Sequence, residues 1–214
     1  VVIAIDGPAG AGKSTVARRV AQKLDIQYLD TGAMYRAFTL FVLQSGIPLE
    51  DIHAVERLLQ DFEIVLDGEE VIMNGENVTR EIRKDPVTDS VSYISSLAFV
   101  RKKMVELQRD IGNNRNVVAE GRDIGSVVFP DTKYKFYLDA AIEERARRRM
   151  RDQKSSSNIT DLDEVIKRIC ERDSYDSNRE ISPLTKSPDA HYIDSTHMTV
   201  EEVCDHIISR IIDE

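Results

Sequence analysis

The amino-acid sequence predicts an α/β fold: an open, mostly parallel central sheet with helices on both faces, a small β-rich insertion and a short basic helical segment. Three observations predict it. Short apolar runs alternate with segments of helical periodicity from the first residue onward, the pattern of a parallel sheet wound by crossover helices. The first run, Val1–Ile5, ends in a glycine-rich turn that opens directly into a helical pattern. After Phe62 the texture changes to short β-rich runs punctuated by Asp67-Gly68 and Asn74-Gly75, the chemistry of tight hairpins.

Taken in order, Val1–Ile5 is a continuous apolar, largely β-branched run that reads as a strand buried on both faces. Val16, Val20, Ala21 and Leu24 then recur at helical spacing. Between them Gly7, Pro8, Ala9, Gly10, Ala11, Gly12, Lys13 and Ser14 satisfy the pattern G-x-x-x-x-G-K-[ST] at every fixed position, with Thr15 following. Strand, glycine loop and helix is the context that this motif requires. Glycines let backbone N–H groups converge on phosphate oxygens, and the helix N-terminus adds unpaired donors and a positive dipole end. Lys13 supplies a mobile charge for the β- and γ-phosphates, and the Ser14 hydroxyl is suited to Mg²⁺. The chain is expected to bind ATP·Mg²⁺ or another nucleoside triphosphate.

Ile26–Asp30 predicts a second strand and 33–44 a helix stopped by Gly46 and Pro48, with a further helix over 51–60. Phe62–Leu66 and Val71–Met73 predict an antiparallel insertion. Pro86–Ser95 and Ala98–Ile111 read as helices, the second rich in basic residues. Val117–Ala119 and Tyr134–Leu138 return to the main sheet, delivering Glu120–Asp123 and Asp139 at their ends. The basic segment Ile142–Arg151 and the stretch Leu162–Tyr175 read as helices, flanking a polar tip at Ser155–Asn158. His191–Asp194 and Val200–Ile212 close the chain as strand and helix. The expected division is a core of residues 1–61, 113–141 and 176–214, an insertion over 62–112 and a lid over 142–175. Ligands of open α/β sheets lie beyond the C-terminal strand ends, which gathers Gly7–Ser14, Asp30-Thr31, Glu120–Asp123 and Asp139.

At 214 residues the chain suits one domain with small inserted lobes. A net charge of −9 argues against a nucleic-acid partner, because non-specific affinity for the phosphate backbone comes from basic surface. Cys170 and Cys204 are isolated and read as small, buried, reduced helix residues. No histidine shows ligand spacing. With no signal peptide, lipidation motif or long apolar segment read from the sequence, a cytoplasmic enzyme without a membrane partner is expected.

Among P-loop classes, a GTPase switch needs D-x-x-G and N-K-x-D segments, and neither occurs. Transport and helicase ATPases are larger or need partner subunits. Arginines set beside short polar residues fit a kinase of a small phosphate acceptor, since guanidiniums offset the repulsion between two polyphosphates and hold them in line.

Five segments follow in order: Gly7–Ser14, Leu29–Arg36 (L-D-T-G-A-M-Y-R), Glu120–Gly125 (E-G-R-D-I-G), Val128–Asp131 (V-F-P-D) and Glu171–Arg179 (E-R-D-S-Y-D-S-N-R). Together they resemble the bacterial cytidylate kinases over essentially the whole chain, the insertion included. The resemblance implies a three-layer P-loop fold with a nucleoside-monophosphate-binding insertion and a helical lid. It implies CMP, and dCMP, as acceptor and ATP as donor. It places Thr31, Arg36 and Arg122 at the acceptor phosphate, Ser92, Arg101 and Asp123 at the cytosine edge, and Arg172, Asp176 and Arg179 around the ribose. Arg145 or Arg148 would reach the transferring phosphoryl group, whereas Arg147 and Arg149 read as a solvated face. A monomer is implied. Another small acceptor, such as UMP or shikimate, and a nucleotide-dependent regulatory protein remain alternative readings of the same P-loop.

Overall fold

The computed structural model describes residues 1–153 and 161–212; the expected Ser155–Asn158 tip lies outside the described residues. The chain packs as two compact units, residues 1–29 with 112–214, and residues 30–111.

In the first unit, β1 (Val2–Asp6) leads through the glycine loop into α1 (Lys13–Leu24) and β2 (Gln27–Asp30). After the excursion into the second unit come β6 (Val117–Gly121), β7 (Tyr134–Asp139), α6 (Ile142–Gln153), α7 (Leu162–Asn178), β8 (His191–Asp194) and α8 (Val200–Ile212). The five strands form one sheet in the order β2-β6-β1-β7-β8. β1 lies between β6 and β7 and pairs with both in parallel, Ile5 opposite Glu120 and Phe136. The apolar first run is therefore the central strand, which explains why all but its first residue are shielded. Ile3 and Ile5 pack with Val16, Val20, Val203 and Ile207 from α1 and α8 in one buried cluster. Because β1 ends at Asp6, the loop that follows leaves from the middle of the sheet's C-terminal edge.

The second unit contains α2 (Thr31–Ser45), α3 (Ile52–Leu58), β3 (Ile64–Asp67), β4 (Glu70–Met73), β5 (Glu76–Asn77), α4 (Asp85–Ile94) and most of α5 (Ala98–Asn114). The Asp30 carboxylate accepts from Ala33 N at 2.8 Å, so α2 begins two residues before its periodic pattern does. β3, β4 and β5 form the expected antiparallel sheet, with Ile64 opposite Met73. The turn at Asn74 and Gly75 has φ values of 49° and 83°, which the Asn-Gly pair tolerates.

Three local readings change. α7 continues past Tyr175 to Asn178, whose side-chain amide donates to Ser174 O at 2.8 Å and supports the last turn. Arg172 and Asp176 thereby sit four residues apart on one helix. Cys170 is exposed on α7, and Cys204 is buried. Between Asp123 and Phe129 the chain makes a π-helical turn, Ile124–Val128, that no local pattern announced. Among the described residues, no helix is long and apolar enough to cross a membrane.

Candidate active site

The glycine loop owes its path to two close approaches. Gly7 has φ 151°, and a Cβ there would lie 2.0 Å from Leu138 O on β7. Gly10 has φ 76°, and a Cβ would lie 2.8 Å from Arg145 O on α6. Larger residues would push the loop off both neighbours. α1 then opens with Gly12 as cap and no acidic residue of its own in the first turn, so its N–H groups and positive dipole end face the loop. A cavity of about 500 Å³ lies against Gly10–Val16, walled by Arg148 and Arg149 of α6, the 195–199 segment and the start of α8.

Cations gather beside this loop. Lys13 is buried and donates to Pro8 O at 2.8 Å. Burial, then Arg122 and Arg172, push its ammonium below the usual lysine range. Arg172 is likewise pushed down, to about 10, by burial and by Arg122. Burial also works against the charge of Arg122, but Asp176, Asp173 and Glu120 outweigh it and raise its pKa. Protonated Lys13, Arg122 and Arg172 repel one another in a shielded place, and an entering polyphosphate would relieve that repulsion.

One buried carboxylate balances part of this charge. Asp176 accepts from Arg122 Nε at 3.0 Å, with Arg179 at 3.6 Å and Arg172 at 4.0 Å. Burial alone would raise its pKa; Arg122, Arg172 and Arg179 overcome that and hold it below the ordinary aspartate value. Arg179 also lies 3.9 Å from the buried Asp123. The predicted residues Arg122, Asp123, Arg172, Asp176 and Arg179 thus form one connected group in the first unit.

The Ser14 hydroxyl donates to Glu120 Oε1 on β6, and Tyr28 Oη donates to the same oxygen at 3.1 Å. Hydroxyl and carboxylate are the hard oxygen donors that Mg²⁺ prefers. Among the described residues, no group of three or more His, Cys, Asp or Glu side chains could hold a metal. The Ser14 hydroxyl and the Glu120 carboxylate are donors that fit a hard divalent ion.

The two arginines expected at the phosphoryl group are held on the loop backbone. Arg145 donates to Ala9 O at 2.9 Å and Ala140 O at 3.1 Å, and pairs with Asp173, whose other oxygen accepts from Ala9 N at 2.8 Å. Arg148 donates to Ala11 O at 3.1 Å and to both oxygens of Ser195. Arg147 is exposed, as expected, whereas Arg149 is half-buried and lines the cavity.

In the second unit, Thr31 is buried in the first turn of α2. Arg36 donates to Thr88 Oγ1 at 3.0 Å and Ile82 O at 3.2 Å. Arg101 is 2 % exposed, donates to Ser95 O at 3.0 Å, and stacks its guanidinium 5.2 Å from the Tyr35 ring centre. Ser92 is half-buried on α4, and its carbonyl accepts from Ser95 Oγ at 3.1 Å. Sequence reasoning missed Asp6, Asp173 and the Ser14–Glu120 contact. The only signal for Asp6 was a charged residue closing an otherwise apolar strand.

Sheet order, glycine loop and converging arginines define a P-loop phosphotransferase of the small-kinase type. A crystal structure of shikimate kinase from Bacteroides thetaiotaomicron superposes with a TM-score of 0.51 at 14% identity, covering 100% of this chain and 99% of that one, which shows the fold alone. The sequence is far more specific. The family model for cytidylate kinase matches residues 3–213. Cytidylate kinase of Desulforamulus reducens is 50% identical over 212 residues, 98% of this chain and 96% of the relative. That of Caldanaerobacter subterraneus subsp. tengcongensis is 49% identical over 211 residues, 99% and 94% respectively. The chain belongs to the cytidylate kinase family.

Proposed function

We propose that the chain transfers the γ-phosphoryl group of ATP to the 5′-phosphate oxygen of CMP, and also of dCMP, by direct in-line displacement. Family membership across residues 3–213 is the observation that carries this reading. The site chemistry agrees with it. The acceptor phosphate oxygen is already anionic near neutral pH, so no strong general base is required and none is assigned.

Lys13 and backbone N–H groups of the loop Gly7–Thr15, in which Pro8 has none, hold the donor phosphates. Ser14 would hold Mg²⁺, whose positive charge would offset that of the donor phosphates. Thr31, Arg36 and Arg122 take the acceptor phosphate. Ser92, Arg101 and Asp123 read the base: a carboxylate or hydroxyl accepts from the exocyclic amine, while a guanidinium donates to O2 or N3. Arg172, Asp176 and Arg179 surround the ribose. Arg145 and Arg148 brace the loop and reach the transferring group only by exchanging their present carbonyl acceptors. Lid residues 142–175 exclude water, which would otherwise compete as acceptor. The protein acts in the cytoplasm as a monomer, without nucleic-acid or membrane partners.

The test is coupled ADP release from ATP·Mg²⁺ with CMP, dCMP, UMP, AMP and shikimate. Stimulation confined to CMP and dCMP is expected. Stimulation by another acceptor would overturn the base-reading roles of Ser92, Arg101 and Asp123, and no stimulation by any would favour a regulatory protein.

A further inference from the structure

Asp6 ends the central strand, immediately before the glycine loop, and the mechanism above leaves it without a task. It is 6 % exposed. One carboxylate oxygen accepts from Ile124 N and the other from Gly125 N, each at 2.8 Å, across 118 and 119 residues of sequence. Those two amides open the π-helical turn Ile124–Val128, which directly follows Arg122 and Asp123. Such turns are uncommon and occur frequently at functional sites. Inside the turn, Val127 N and Val128 N both donate to Asp123 O, so Asp123 is itself anchored by the turn. Gly125 sits tightly: a Cβ would lie 3.2 Å from the Lys135 stem and 3.4 Å from Asp6 Oδ2.

From this geometry we infer that Asp6 is the positioning residue for the acceptor-base end of the site. Its two oxygens fix the start of the π turn and thereby the orientation of Arg122 and Asp123. The inference rests on the acceptor roles proposed for those two residues. A carboxylate is the side chain suited to the task, because both of its oxygens accept. An asparagine would satisfy one amide and set its NH₂ against the other N–H. The charged group is retained against a desolvation penalty: burial raises its pKa to about 6, although the Gly125 and Ile124 amides oppose the shift. Asp123 contributes to the rise and Lys13 opposes it. Tyr137 lies opposite Asp6 on β7, Glu120 and Arg122 flank its β6 partner Gly121, and Lys135, whose stem lies beside Gly125, donates to Pro130 O at 2.6 Å and pairs with Asp189.

The experiment compares wild type with Asp6→Asn by steady-state kinetics and by amide hydrogen exchange on the ligand-free protein. Asp6→Asn should raise KM for CMP roughly tenfold, the effect of losing one charge-assisted hydrogen bond. KM for ATP should stay within about twofold, discrimination between CMP and UMP should narrow, and exchange at Ile124 and Gly125 should accelerate. A merely structural role would lower the melting temperature without this split between substrates. In wild type, KM for CMP should rise as pH falls through about 6 by more than it does in the variant. The substrate phosphate titrates in the same range in both proteins, so the difference between them is the readout. If Asp6→Asn does not fold, Gly125→Ala crowds the Lys135 stem and Asp6 Oδ2 at the same turn and should reproduce the KM split. Unchanged exchange at Ile124 and Gly125, or equal rises in both KM values, would overturn the inference. Exchange needs no substrate, so it decides the positioning claim even if wild type shows no CMP-stimulated turnover, a result that would overturn the functional reading alone.

Discussion

Replacing Asp176 by asparagine removes a carboxylate that lies between Arg122, Arg172 and Arg179 while keeping nearly the same volume. The three guanidinium contacts lie at 3.0, 4.0 and 3.6 Å in a site where Asp176 is 3 % exposed. At about 4 Å and an effective dielectric near 20, each pair contributes about 4 kcal/mol of gross attraction, most of it offset by desolvation. What the substitution exposes is the uncompensated charge, and breaking a buried pair in this way costs about 3–5 kcal/mol. In a domain of this size each kcal/mol moves the melting point by about 2–4 °C, so Asp176→Asn should melt about 6–20 °C lower at neutral pH. Thermal unfolding followed by circular dichroism measures this directly. The sign with pH follows from the depressed pKa: the stabilisation is present above the unfolded value, 3.8, and is lost as pH falls through the lower folded value. Urea titrations of the two proteins should therefore converge in acid, below about pH 4. A variant that melts within about 2 °C of wild type at pH 7.5 would refute the claim that this carboxylate holds the arginines together.

Three further outcomes are expected. Lys13→Ala should lower CMP-stimulated ADP release by about 10²–10³-fold while leaving the far-ultraviolet dichroism unchanged, because it removes a preorganised charge from the phosphate site. Ser14→Ala should shift the Mg²⁺ concentration needed for half-maximal turnover upward, read from a metal titration at fixed ATP, with folding preserved. Gly7→Ala should fail as a fold: its Cβ would lie 2.0 Å from a strand carbonyl at φ 151°, so soluble yield and melting temperature should both collapse.

The parts of the structure legible in the sequence are those written in local patterns. Val1–Ile5 reads as a strand buried on both faces by being apolar at every position, and the Asn74-Gly75 turn appears where its residue types require it. The connected group around Asp176 was legible only through resemblance, since nothing in the spacing of Arg122 and Asp176 shows that they meet. Neither Asp6 nor Asp173 could be assigned a task from the sequence. Each acts by accepting backbone N–H groups more than a hundred residues away in sequence, and any acidic residue at a strand end or on a helix would read the same. The commitments of Arg145 and Arg148 were hidden for a related reason. An arginine-rich helix predicts positive charge, but which carbonyls it meets depends on how closely Gly10 lets the loop approach α6.

³¹P nuclear magnetic resonance of one reaction separates phosphoryl transfer to a nucleotide from transfer to water. With ATP, Mg²⁺ and CMP present together, the expected spectra show CDP and ADP rising in equal amounts with no inorganic phosphate. Inorganic phosphate rising with ADP, and no CDP, would contradict the account.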